Sequence, residues 1–132
     1  MTNQLTTDFS TLPPIMAVDF DGTLVVDKFP EIGKEREYIC SIIKEFQAKG
    51  VKSILWTSRT GEALEAAVEW CKEHDLHFDS INENIPEVIE LTGQDTRKVF
   101  ADVYIDDKSC FANTLDVRMY INRRTNWLER LV

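Results

Sequence analysis

The chain of 132 residues is poor in the features that mark membrane, secreted and nucleic-acid-binding proteins. No apolar run approaches the roughly 18 residues that a membrane-spanning helix needs. Residues 1–11 have neither the basic start nor the apolar core of a signal peptide. Cysteines are few: Cys40, Cys71 and Cys110 are an odd number at wide spacing, with no metal-like pairing. They are expected to be reduced thiols in a cytoplasmic protein. Basic residues are outnumbered, 15 against 23 acids, for a net charge of −8 and a pI near 4.7. Such a surface is a poor general partner for nucleic acid, whose phosphates must be neutralised by cations. It does not exclude a phosphorylated substrate, because local cations decide that. Internal repeats and low-complexity stretches are lacking too, as is any sign of a second domain. One domain over residues 1–132 is expected, with 1–12 a loose leader ending at Pro13-Pro14.

What the chain does contain is a regular alternation. At 43% hydrophobic and 29% charged it has the composition of a globular protein. Residues 15–20 form a short apolar run suited to a buried strand. Residues 25–34, with Pro30 and Gly33, read as a loop. Residues 35–49 carry Ile39, Ile42, Ile43 and Phe46 at helical spacing, and Gly50 follows as a C-terminal cap. A second strand is expected over 51–56, and a helix over 61–74 with Thr60 as N-cap and Leu64, Ala67, Val68 and Cys71 inward. A short strand at 77–81 and a brief helix from Pro86 to about residue 91, stopped by Thr92-Gly93, precede a strand over 99–105. The tail adds an apolar run at 119–121 and a patch at Trp127, Leu128 and Leu131. Strands alternating with helices imply an α/β fold with a mostly parallel sheet covered on both faces.

In such sheets chemistry gathers beyond the carboxyl ends of the strands. Three of those ends carry polar groups here: Asp19 and Asp21, Thr57 and Ser58, Asp106 and Asp107. Asp19 and Asp21, one residue apart, share a face in extended geometry. Their mutual repulsion is relieved by a divalent cation. With no histidine or paired cysteine beside them, the all-oxygen set favours magnesium over zinc. Asp19 could attack phosphorus as a nucleophile, giving an aspartyl phosphate. Asp21 could protonate the leaving oxygen and later deprotonate water. Thr57 could offer its hydroxyl to a phosphoryl oxygen. Lys98, just before the last strand, is a candidate for the cation that offsets the phosphate charge, and Lys108 is its rival. Gly22, Thr23, Ser58 and Arg59, with Lys28 on the loop, are candidate substrate contacts; an ion pair or solvated charge is the plainer reading of Lys28 and Arg59.

Together these residues resemble the haloacid dehalogenase (HAD) superfamily of aspartate-nucleophile phosphotransferases. The run Asp19-Phe20-Asp21-Gly22-Thr23-Leu24 is similar to its DxDGT motif, Thr57 to its strand-ending Thr or Ser, Lys98 to its lysine, and Asp106-Asp107 to its paired acids. The resemblance covers about residues 15–110. It implies a three-layer Rossmannoid core, a flap over 25–30, and magnesium held by the Asp19 carboxylate, the Asp21 carbonyl and an acid of the Asp106-Asp107 pair, Asp107 being favoured. Family members often insert a cap domain. Here 35 residues separate Asp21 from Thr57 and 40 run from Ser58 to Arg97, too few for one in either gap. An open site suits a bulky phosphorylated substrate or closure by a second subunit.

The leading expectation is a magnesium-dependent phosphomonoester hydrolase. A nucleotidase or polynucleotide 3′-phosphatase is an alternative, the latter requiring Lys28, Arg59, Arg118, Arg123 and Arg124 to form one basic patch. A receiver-like phospho-acceptor would use similar groups, but there the paired acids come first and a lone acceptor later, the reverse of the order here. A non-catalytic binding protein on the same core is the remaining alternative.

Overall fold

A computed structural model describes residues 8–109 of the chain. Cys110, Arg118, Arg123, Arg124, the run at 119–121 and the patch of Trp127, Leu128 and Leu131 lie outside the described residues. The elements are β1 (Ile15–Val18), β2 (Val25–Lys28), β3 (Glu31–Glu35), α1 (Glu37–Ala48), β4 (Lys52–Leu55), α2 (Gly61–Glu73), β5 (Ser80–Ile81), α3 (Pro86–Thr92) and β6 (Val103–Ile105). The main sheet is parallel in the order β5-β4-β1-β6, so β1, which leads into the aspartates, lies between β4 and β6.

Alternation along β1 explains the layering. Met16 and Val18 join Leu55, Val103 and Ile105 beneath α1 and α2, which contribute Ile39, Ile42, Ile43, Phe46, Ala67 and Cys71. Ile15 and Ala17 point to the other face, where Ile54, Val99 and the α3 region's Ile85 and Val88 cover them. Strands buried on both faces read as continuous apolar runs, as residues 15–18 do. Cys40 and Cys71 are buried free thiols, pushed up to about 12 chiefly by that burial, which makes them packing groups and poor nucleophiles. No helix of the described residues is long and apolar enough to cross a membrane.

Caps close the helices much as the sequence implies. Gly50 follows α1 at φ +96°, with the Val51 N–H donating to the Phe46 carbonyl. Pro86 opens α3 and Gly93 ends it in the left-handed region. Thr60 stands at the N-cap of α2, but its side chain makes no capping bond.

Two expectations are corrected. Residues 25–34 are not a loop: β2 and β3 pair as an antiparallel hairpin whose turn is the cis Phe29-Pro30 bond. The β-branched Val25-Val26 favours extended backbone, and the proline sits in the turn rather than in a strand. The expected loose leader over 1–12 is ordered in its described part: Phe9–Thr11 form a 3-10 turn, Phe9 packs on Phe100 at 4.9 Å between centroids, and Leu12 is buried.

Neither gap between the polar strand ends holds an inserted domain. The first is used by the hairpin, α1 and β4, the second by α2, β5 and α3.

Candidate active site

A cleft of about 330 Å³ opens at the carboxyl ends of β1, β4 and β6, lined by Asp19, Asp21, Asp27, Phe29, Thr57, Ser58, Arg59, Asp106, Asp107 and Lys108. The ladder continues just past the strands: the Asp19 N–H donates to the Ile105 carbonyl at 2.9 Å and the Trp56 N–H to the Val18 carbonyl at 2.8 Å. Those two bonds bring three sequence-distant segments to one place.

Asp19, Asp106 and Asp107 each present a carboxylate oxygen within 4.8 Å of the others. Burial, and then the charge of Asp106, push the Asp19 carboxyl up from 3.8 to about 7. Burial also raises Asp107, but hydrogen bonds from Lys108 and with its acidic neighbours outweigh it, leaving that carboxyl below its ordinary value. The donor set is oxygen-only and anionic, and crowding raises one member's proton affinity. These are properties that a hard divalent cation would relieve. The carboxylate of Asp21 is not part of the trio.

The DxDGT turn is built for close approach. Gly22 adopts φ +87°, and a Cβ there would lie 2.2 Å from Asp107 Oδ2, so only glycine leaves room for that carboxylate. Its N–H donates to the Val25 carbonyl and its own carbonyl accepts from Arg36 Nη1 at 2.6 Å. Thr23 is buried; its hydroxyl donates to Asp19 Oδ2 at 3.3 Å and accepts from the Asp107 N–H at 3.0 Å. The Thr23 hydroxyl therefore joins the ends of β1 and β6, while Gly22 leaves room for the Asp107 carboxylate. Expected as substrate contacts, Gly22 and Thr23 have their polar atoms engaged inside the protein.

Thr57 lines the cleft. Its N–H donates to Asn82 Oδ1 at 2.8 Å, and its Oγ1 accepts from the Arg59 N–H at 3.1 Å, which leaves the hydroxyl hydrogen to donate. Ser58 is exposed beside it.

The two rival lysines separate. Asp102 lies at the amino end of the sheet, where its N–H donates to the Ile15 carbonyl. Lys98 comes before that point, exposed, its Nζ 5.5 Å from the Tyr104 ring centroid, and it does not line the cleft. Its side chain lies against Tyr104 of β6, while the cleft lining includes Lys108. Lys108 Nζ instead bonds Asp107 Oδ2 at 3.1 Å. Lys28 is exposed at the end of β2 and also stays out of the cleft.

Arg59 takes its plainer reading, an ion pair, rather than that of a substrate contact. Its side chain is 1% exposed, and Nε and Nη2 each lie 2.8 Å from an Asp21 carboxylate oxygen. Nη1 donates to the carbonyls of Pro30 and Ala63, and Nη2 also to that of Glu31. All five guanidinium hydrogens are thus spent. The hydrogen bonds and charge of Asp21 raise its proton affinity further.

Two supporting residues escaped the sequence reading. Arg36 is one: an arginine at an N-cap position makes no cap bond, a mismatch that marks another task, here holding the Gly22 carbonyl. Asn82 is the other, a left-handed residue at φ 55° after β5, of the type that tolerates that conformation.

No family model matches the sequence, and no curated protein matches it. Among solved structures, a conserved protein coded by a locus of Bacteroides thetaiotaomicron is similar at 35% identity and a TM-score of 0.71, over 87% of this chain and 92% of that one.

Proposed function

We propose that this chain, which belongs to the same family as the conserved Bacteroides thetaiotaomicron protein, is a magnesium-dependent phosphomonoester hydrolase of the HAD type. The observation that carries the reading is the meeting of Asp19, Asp106 and Asp107 carboxylates, from two strand ends, in a cleft that also holds Asp21, Thr57 and Lys108. Asp19, Asp106 or Asp107, and the backbone carbonyl of Asp21 would hold magnesium. When bound, the ion supplies positive charge that lets an anionic nucleophile and an anionic phosphate approach.

The residues divide the work as follows. An Asp19 carboxylate oxygen attacks phosphorus, and the phosphorus–oxygen bond to the leaving alcohol breaks. Asp21 delivers a proton to that leaving oxygen. Asp21 then takes a proton from water, whose oxygen attacks the phosphorus of the aspartyl phosphate, and the bond to Asp19 breaks to release phosphate. The Thr57 hydroxyl and the Lys108 ammonium offer a hydrogen bond and a charge to the phosphoryl oxygens.

The open cleft supports a bulky phosphorylated substrate, or closure by a second copy of the chain. The acidic surface weighs against nucleic acid, and the free thiols of Cys40 and Cys71 support a cytoplasmic setting. The test is release of chromophore from a generic aryl phosphate, with and without magnesium, by the native protein and by Asp19→Asn. Magnesium-dependent turnover lost in the variant is expected; no turnover, or turnover indifferent to the substitution, defeats the proposal.

A further inference from the structure

We propose that Arg59 is a positioning residue that couples the β2–β3 hairpin to the carboxylate of Asp21, so that the hairpin cannot lift from the cleft without releasing the acid/base group. The inference rests on the phosphatase reading for its kinetic half only; the coupling itself is a property of the fold.

Three observations meet at one guanidinium. It grips both oxygens of Asp21 in a fork at 2.8 Å. It also holds the hairpin turn, through the Pro30 carbonyl at 3.2 Å and the Glu31 carbonyl at 2.9 Å. Finally, it is packed between two rings, 5.2 Å from the Phe20 centroid beneath and 5.1 Å from that of Phe29, the hairpin residue that lines the cleft. A fifth bond, to the Ala63 carbonyl at 3.1 Å, fixes it to the first turn of α2. Each partner alone would be an ordinary buried-arginine contact. Here one planar group with a rigid fork is shared between a carboxylate assigned to proton transfer and the hairpin beside it.

The energetics make the coupling mutual. A buried guanidinium is tolerated because a carboxylate and carbonyls surround it. If the hairpin moves off, two carbonyls leave and the Arg59–Asp21 fork gains solvent and mobility. If the Asp21 carboxylate is replaced, the guanidinium is buried with less compensation, and its hold on the hairpin weakens. A lysine would keep a charge near Asp21 but has three donors from a single point, too few to reach the same five acceptors.

The coupling is tested by amide hydrogen exchange, with no substrate, on native protein, Asp21→Asn and Arg59→Lys. Asp21→Asn keeps the shape of the side chain, whose two carboxylate oxygens both accept from Arg59, and leaves the backbone bridge of Asp21 to Val25 in place. Exchange over residues 25–35 is expected to quicken by about tenfold in both variants, while α1 stays as protected as before. Unchanged hairpin exchange in Asp21→Asn overturns the coupling. The positioning role is tested by kcat/KM for an alkyl and an activated aryl phosphate with magnesium. Arg59→Lys should lose roughly tenfold more on the alkyl ester, whose leaving oxygen needs the proton, than on the aryl ester. Equal losses on both overturn the positioning role. Absence of turnover by the native protein instead defeats the phosphatase reading, and the exchange result still decides the coupling.

Discussion

Replacing Gly22 by alanine adds one methyl group at φ +87°, and its Cβ would lie 2.2 Å from Asp107 Oδ2, 2.6 Å from Cγ and 3.1 Å from Oδ1. Ordinary contact needs about 3.5 Å, so the carboxylate must retreat by roughly 1 Å. It is the end of a short side chain and can swing, so the fold survives. The strained backbone itself costs about 1 kcal/mol, near 4 °C in melting temperature for a chain of this size. Displacing one of three carboxylates should cost magnesium affinity at least about tenfold, or ~1.4 kcal/mol. Gly93→Ala is the matched control, since Gly93 has φ +74° with nothing within 4 Å of the added Cβ. Thermal melts in chelator and magnesium titration calorimetry separate the two effects. Both variants should lose similar stability, and only Gly22→Ala should lose affinity. A stable Gly22→Ala protein that binds magnesium like the native chain would refute the reasoning.

Other perturbations test neighbouring links. Thr23→Val removes the hydroxyl shared by Asp19 and the Asp107 N–H, for a loss of about 1–3 kcal/mol in urea denaturation that Thr23→Ser should largely restore. Asn84, buried and bonded to Asp95, Thr96 and the Phe100 N–H, should cost about 2–3 kcal/mol on replacement by alanine, read from the same denaturation midpoints. Lys108→Met should lower kcat/KM by about a hundredfold, whereas Lys98→Met should stay within about twofold of native. Because Asp19 is raised from 3.8 to about 7, the folded metal-free protein holds a proton that the unfolded chain gives up. That contribution is fully present below pH 3.8 and fades as pH rises to about 7. The lowering of Asp107 runs the opposite way, so the signal is the difference between native protein and Asp19→Asn in chelator, and magnesium should remove it.

The sheet and its acidic ends were legible because two simple rules reached them. Continuous apolar runs mark strands buried on both faces, and residues 15–18 obey that pattern, as do Ile54 and Leu55 at the end of β4. The polar residues at the ends of such strands then fall on one edge by topology, which located Asp19, Thr57, Asp106 and Asp107. The hairpin was hidden by Pro30 and Gly33, which signal a loop locally while the chain pairs Val25 with Glu35. Long flexible side chains were harder still. Lys98 and Arg59 are near the motifs in sequence, yet one lies against Tyr104 outside the cleft lining and the other turns inward to Asp21. Neither direction is set by local propensity; both follow from what the fold brings alongside.

The central claim is that Asp19 becomes phosphorylated, and the most direct measurement is peptide mapping by mass spectrometry of acid-quenched Asp21→Asn protein after incubation with an activated aryl phosphate and magnesium. Without the group that activates water, the intermediate should accumulate, and one phosphoryl group is expected on the peptide carrying Asp19, absent when magnesium is withheld. Magnesium-dependent turnover by the native protein, with no adduct at Asp19 in the variant, would contradict it.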